Sequence, residues 1–375
     1  MHTPADRTDF LIFTPDDVDL TASPLRAEID EETFVLGAFN PGLTRLPNGN
    51  LLMMVRVAEA LREPVRDGHV RAIRWAPDGY WLDAYPLDRV DMRDPRQFLL
   101  RAFHYKTLAL TSLSWLLPVE LSPDGMEILE LHYDRAIAPI RTFQEYGVED
   151  ARISRIDGRY YMTTCSVSAE RHCTTLYVSD NGLDYALHGI ILDHQNKDML
   201  LFEGKVGDYY MAQTRPLGEL YLAYPPDSDY LPGPCIQLAR SPDLLHWKPL
   251  DQPGIRPRKA TGRTAKIGGG SPPVRTDAGW LTLYHGVELN DLVGTYRTFW
   301  ALLDLEDPSR IVRLQDQTPL LSPRPDLTAP IAHQMYISNI VFTTGIAEHD
   351  DIYIIASGEA DLACRITHAP KSLFA

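Results

Sequence analysis

The stretch Arg155–Cys165, RIDGRYYMTTC, decides the fold. Its Asp-Gly pair sits between two short segments. That is hairpin chemistry, because a two-residue turn needs positive φ at its central positions. The residues that follow are aromatic and apolar almost throughout, as expected of a strand buried on both faces. The same plan recurs at Thr44–Arg56 (TRLPNGNLLMMVR), Lys205–Thr214 (KVGDYYMAQT), Val274–His285 (VRTDAGWLTLYH) and Ala347–Ser357 (AEHDDIYIIAS). A second motif follows some copies: a strand ending in Ser, an Asp- or Pro-containing turn, then an aromatic or aliphatic residue. It is seen at Leu121–Ile128, Val178–Tyr185 and Leu238–Trp247.

Two hairpins make a four-stranded meander, and about five meanders in a ring predict an all-β protein, a five-bladed β-propeller. Such a ring makes residues 1–375 one catalytic domain, with the N- and C-terminal extensions packing on it. An irregular two-domain β-sandwich is the alternative all-β reading. An α/β barrel needs eight helices, and helical periodicity is scarce. The best helical candidate, Asp88–Leu100, is broken by Pro95. The 24 Gly and 29 Pro are spread along the whole chain, as many turns require.

Charge and composition narrow the function. With 36 Lys and Arg against 51 Asp and Glu, the 375-residue chain carries a net charge of −15. An acidic chain without a basic run repels phosphate backbones, so no nucleic-acid partner is expected. No apolar run reaches membrane-spanning length, and MHTPADRTDF is not a secretory leader. The four cysteines lack CxxC spacing, and the 12 histidines are dispersed without an H-x-x-x-H pair. The expectation is therefore a cytoplasmic protein with no metal, no organic cofactor and no membrane partner. A homo-oligomer stays open.

In a propeller the ends of the inner strands converge, so polar residues flanking the hairpins are the candidates for chemistry. Asn40 and Arg56 bracket the first hairpin, with Glu59 close to Arg56 in sequence. Glu149, Asp150 and Arg152 precede the second. If that adjacent carboxylate pair lay in a cleft, repulsion would raise one pKa while Arg152 held the other down, as an acid catalyst requires. Lys197 and Arg215 flank the third hairpin, and Lys266 and His285 the fourth. An acidic protein that gathers cations at one end of its strands suggests a bound anion. The three glycines Gly268–Gly270 lack the GK[ST] of a nucleotide loop and read better as a tight bend. No G-x-S-x-G is present.

The chain is similar to glycoside hydrolase family 130, the inverting β-mannoside phosphorylases and related mannosidases. The likeness runs from Asn40 to Asp361. It rests on FNPG with RVAE, GVEDARI, NKD-x-LLF, QTRP, AKIGGGSPPV…GW…LYHG and NIVF…G…GEAD. Ala151 stands where the family commonly has Pro, and Glu203-Gly204-Lys205 where it has Pro-Glu-Lys. The resemblance implies a five-bladed propeller in which Asp150 is the general acid, protonating the sugar 3-hydroxyl, which relays a proton to the glycosidic oxygen. It implies Lys197, Arg215, Lys266 and His285 as phosphate ligands, and Asn40, Arg56 and Asp361 as mannosyl contacts, with Glu149 and Arg152 beside them. Inorganic phosphate is then a co-substrate, and the other partner is a β-mannoside, a manno-oligosaccharide or mannosyl-glucose. Hydrolytic relatives use glutamates as base in place of the cations. Glu203 is the residue here that would serve a hydrolase.

Overall fold

The computed structural model describes residues 7–101, 103–218, 220–261 and 266–374. The protein is all-β, and the five expected hairpins are present. They pair Thr33–Arg45 with Leu51–Leu61, Gly147–Ile156 with Arg159–Val167, Asn196–Val206 with Tyr209–Pro216, Val274–Thr276 with Gly279–Glu288, and Val341–His349 with Ile352–Glu359. At the second of these turns Asp157 and Gly158 take φ of 51° and 82°, the left-handed pair that this turn demands.

Each hairpin continues outward as an antiparallel meander. Ser112–Leu121 and Ile128–Leu131 extend the first unit, and His172–Ser179 and Ala186–Leu192 the second. Gln237–Ser241 and Lys248–Pro253 extend the third, and Thr295–Leu303 and Ile311–Gln315 the fourth. Lys266–Gly269 pairs with the same long strand as Val274–Thr276, so the first strand of the fourth unit is interrupted by the turn between them. The fifth unit adds Ala363–Pro370, and its outer strand comes from the N-terminus: Thr8–Phe13 pairs antiparallel with Ala363–Pro370. Asp9 fastens that strand, accepting from Arg365 Nη2 at 2.8 Å and Thr367 Oγ1 at 2.6 Å. The first and second units meet edge to edge at one parallel pair, Ser114 with Gly147.

The Ser-containing motif forms the turn between third and fourth strands. Ser122, Ser179 and Ser241 donate side-chain hydrogen bonds to Asp124, Asn181 and Asp243, whose oxygens accept the following backbone N–H groups. In the fourth unit Asp304 does the same without a serine, accepting from Glu306 and Asp307.

One expectation is corrected. Asp88–Leu100 is not a helix. A single 3-10 turn, Leu87–Arg89, is followed by the strands Val90–Asp91 and Gln97–Leu100. They pair with each other in one of two three-stranded sheets inserted between the second and third strands of the first unit. Pro95 bars a continuous helix, and Phe98 and Leu100 alternate inward with strand periodicity.

The first strands of neighbouring units touch. Thr33–Arg45 contacts Gly147–Ile156 and Val341–His349, Gly147–Ile156 contacts Asn196–Val206, and Asn196–Val206 contacts Lys266–Gly269. Three of these strands carry the same one-residue bulge, between Phe39 and Gly42, Glu149 and Arg152, and Lys197 and Leu200. A bulge leaves one residue unpaired and re-aims its side chain. Here those residues include Asn40, Asp150 and Asp198, with φ of 49°, 51° and 56°. Asn and Asp enter the left-handed region more readily than other side-chain-bearing residues, which explains why short polar residues sit at all three. No helix among the described residues is long and apolar enough to cross a membrane.

Candidate active site

The bulges bring the polar residues of different units together. Arg56 is the hub of one half. Its Nη1 meets Asp150 Oδ1 at 2.9 Å, Nη2 meets Glu149 Oε1 at 3.0 Å, and Nε donates to Ser114 Oγ at 3.0 Å. Asn40 Nδ2 donates to the same Asp150 oxygen at 3.0 Å. Glu149 is buried, and its second oxygen meets Lys197 Nζ at 2.9 Å. Arg56 therefore pairs with carboxylates of the second unit, not with Glu59. Positions 56 and 59 lie on opposite faces of one strand. Glu59 is spent in the core, accepting from Ser23, Thr33 and Trp115.

The other half is built around Asp198. Its side chain is 1% exposed and lies 2.7 Å from Arg215 Nε, 3.6 Å from Arg152 Nη2 and 3.9 Å from His285 Nε2. His285 is buried against the rings of Phe342 and Tyr296. Lys266 Nζ donates to Tyr296 Oη at 3.0 Å. Arg152 is buried beneath the loop that carries Asp150, giving Nε to the Gly270 carbonyl at 2.6 Å and Nη1 to the Asp150 carbonyl at 2.9 Å. It supports the loop from below, because its Nε and Nη1 are committed to backbone oxygens. Buried polar groups are normally satisfied. Among the described residues, side-chain atoms without a hydrogen-bond partner gather here, on Asn40, Arg152, Asp198, Arg215 and both nitrogens of His285.

The electrostatics differ from the split expected of Glu149 and Asp150. Burial pushes both carboxyls up, but Arg56 and Lys197 outweigh it, so both lie below the ordinary carboxylate range. Lys197 is driven the other way: burial lowers it, Glu149 more than compensates, and it stays charged. The carboxyl that is pushed up is Asp361, to about 6, by burial, opposed by Arg56 and reinforced by Asp150. Lys266 and His285 lie well below their ordinary values, through burial first and then the Arg215 charge. An arriving anion opposes that effect, so anion binding draws protons onto both.

Asp361 yields a stability prediction. A carboxyl with a raised folded-state pKa contributes stability that is complete below its unfolded value of 3.8 and is lost as pH rises through about 6. Asp361→Asn keeps the neutral form at every pH. The variant should gain on the wild type from pH 4 to 7, by up to ~3 kcal/mol, and level off above. Denaturation at stepped pH measures the gap, and parallel curves would refute it.

Sequence reasoning singled out every charged group just described, but Asp198 only as a loop charge beside Lys197 with no role, and it missed the polar Ser114 and Tyr296. The signal for Asp198 was present: it repeats, one unit later, the bulge position of Asn40 and Asp150. Arg96 was also missed. It comes from the inserted sheets, is clamped by Asp94 at 2.8 Å, and its charge acts on Asp361 and Tyr296.

Fold and site together define a class: an all-β protein whose strand ends gather carboxylates, an amide and an arginine beside a deeper nest of cations. A family model of glycoside hydrolase family 130, described as beta-1,4-mannooligosaccharide phosphorylase, matches residues 102–373. A beta-1,2-mannobiose phosphorylase from Listeria innocua is 30% identical over 358 residues, covering 90% of each chain. A 1,2-beta-oligomannan phosphorylase from Thermoanaerobacter sp. is 32% identical over 245 residues, 64% of this chain and 74% of that one. The solved structure of a Listeria innocua beta-1,2-mannobiose phosphorylase with beta-1,2-mannobiose superposes with a TM-score of 0.80 at 28% identity, over 98% of both chains. The chain belongs to glycoside hydrolase family 130.

Proposed function

We propose that the protein is a five-bladed propeller, one catalytic domain, that cleaves a β-1,2-mannoside with inorganic phosphate and releases α-mannose 1-phosphate with inversion. The contacts between neighbouring first strands, the contacts of Gly279–Glu288 and Thr295–Leu303 with Val341–His349, and the pairing of the N-terminal strand with the last unit support the ring. The observation that carries the function is the juxtaposition of Asp150, under Arg56 and Asn40, with the cations Lys197, Arg215, Lys266 and His285 across adjacent units. The two β-1,2-acting relatives named above support the β-1,2 linkage, against the β-1,4 of the family model's description.

In this reading Asn40, Arg56 and Asp361 hold the mannosyl unit. The phosphate lies against Arg215, Lys266 and His285, with Lys197 toward the acid. An oxygen of phosphate attacks the anomeric carbon as the bond to the glycosidic oxygen breaks. Asp150 gives its proton to the 3-hydroxyl, which passes its own to the leaving oxygen. No base is needed, since phosphate arrives as an anion. The protein's work is alignment and charge stabilisation.

A hydrolase needs a second carboxylate roughly 6.5–9.5 Å from the acid to activate water. Glu203 does not fit that role. It lies five residues beyond Asp198 on the same strand, roughly 16 Å along it. There its Oε1 accepts from the Arg155 amide at 3.2 Å, at the opposite end of the second unit's first strand from Asp150. Burial pushes it up to about 7, with Glu348 adding to the effect.

The test is product analysis with and without phosphate: sugar 1-phosphate appears only with it, whereas a hydrolase makes free mannose regardless. Lys266→Ala and His285→Ala should each raise the KM for phosphate about tenfold or more while moving that for the mannoside about threefold or less. Equal changes in both would remove these residues from the anion site.

A further inference from the structure

We propose that Asp198 is a positioning residue of the anion site: it draws the Nε edge of Arg215 to itself and so aims the two terminal nitrogens of that guanidinium at phosphate. The proposal rests on the phosphorylase reading and adds to it a carboxylate that neither the sequence reading nor the comparisons assign.

A carboxylate in a nest meant for an anion is costly unless it serves the cations. Asp198 is placed to do so. Its Oδ2 lies 2.7 Å from Arg215 Nε, and both side chains are almost fully buried, at 1% and 4% exposure. The grip on Arg215 is double. Two residues earlier on the same strand, Asn196 is fully buried, and its Oδ1 accepts the Arg215 backbone N–H at 3.0 Å. The bulge re-aims Asp198, so the bulged start of Asn196–Val206 fixes Arg215 at its main chain and its head. Asn196 is itself held by Thr174, to which its Nδ2 donates at 2.9 Å. Lys197, between them, points to the other side and pairs with Glu149.

Arginine has five donors in a rigid fork. Pairing at Nε leaves Nη1 and Nη2, the geometry that meets two oxygens of one phosphate. The Asp198 contact with Arg215 is a close ion pair without hydrogen-bond alignment, and both Asp198 oxygens keep unused acceptor capacity. Asp198 also faces Arg152 and His285, so one negative charge is shared between two guanidiniums that would otherwise repel each other, with the imidazole beside them. The backbone is shaped to the task. Asp198 is left-handed at its bulge, and Gly268 opposite has no side chain because a Cβ there would lie 2.5 Å from Asp198 Oδ2 and 2.4 Å from His285 Cε1.

The experiment compares wild type, Asp198→Asn and Asp198→Glu by steady-state kinetics in both substrates and by calorimetric titration with inorganic phosphate. Asp198→Asn should raise the phosphate Kd and KM about tenfold or more and leave the mannoside KM within about threefold, with Asp198→Glu intermediate. Because the effect runs through Arg215, it should shrink to about twofold or less when Asp198→Asn is made in an Arg215→Ala background. Should Asp198→Asn not fold, Asp198→Glu in the two backgrounds carries the same comparison. Equal loss for both substrates, or full additivity with Arg215→Ala, overturns the proposal. Wild-type protein that binds no phosphate in the calorimeter overturns the phosphorylase reading itself.

Discussion

Asp150→Asn should lose about two to four orders of magnitude in kcat on a natural β-mannoside, the usual worth of a positioned proton donor. The substitution is close to isosteric. The amide oxygen can still accept from Asn40 and Arg56, which both meet Oδ1 in the parent protein. What disappears is the proton and the charge, so the loss reports chemistry. A glycoside with a leaving group acidic enough to depart unprotonated supplies the control. On such a substrate Asp150→Asn should fall within about tenfold of wild type. A loss of the same size on both substrates, or near-normal turnover of the natural one, would take the proton-donor role away from Asp150.

The free site holds Asp150 below the ordinary carboxylate range, because Arg56, Lys197, Arg152 and the Asn40 amide together outweigh burial. An acid catalyst must therefore regain its proton in the complex. Two events push it up: the bound sugar excludes water, and the phosphate brings negative charge. The pH limb set by the acid should accordingly lie higher in kcat than in kcat/KM, since only the former reports the filled site. The Asp150 charge also raises Asp361, so Asp150→Asn should move the Asp361 titration to lower pH.

How much of this was legible beforehand follows from which forces are local. The five hairpins could be read because a left-handed Asp or Gly between apolar strands is a property of a few adjacent residues. Asp157-Gly158 announces its turn without help from the rest of the chain. The insertion after Leu61 could not be read this way. Its strands are short, its apolar residues alternate over only four positions in Gln97–Leu100, and its Pro resembled a helix break. In the site, residue types at hairpin flanks were enough to nominate the groups that the bulges bring together. Partners were not. Arg56 was placed beside Glu59 by sequence distance, whereas its carboxylates lie about ninety residues away on the second unit. The charge state of Asp150 was missed for the same reason, because the two cations that depress it most come from the first and third units.

Arg56→Ala should be the most destabilising change at this site, by about 3–5 kcal/mol at neutral pH, the cost of removing one partner from buried ion pairs. Arg56 alone bridges both carboxylates, at 3.0 and 2.9 Å. Without it Glu149 keeps Lys197, and Asp150 keeps Asn40 and the more distant charges of Lys197 and Arg152, but the strongest charge opposing burial is gone from each. The pH dependence separates this mechanism from simple loss of packing. In the wild type both folded-state pKa values are depressed, so their stability is present above the unfolded values of 4.5 and 3.8 and is lost as pH falls. In Arg56→Ala both rise toward the unfolded values, so the variant loses less stability than the wild type as pH falls. The deficit relative to wild type should therefore be large at pH 8 and shrink toward pH 4.5 in chemical denaturation. Adding Glu149→Gln to Arg56→Ala should recover part of it at pH 8, because one uncompensated charge is gone. Arg56→Lys should recover less than its charge suggests, since an ammonium cannot span two carboxylates and Ser114 at once. A deficit that stays constant across pH would mean that Arg56 matters for its bulk, and the charge balance drawn for Asp150 would fall with it.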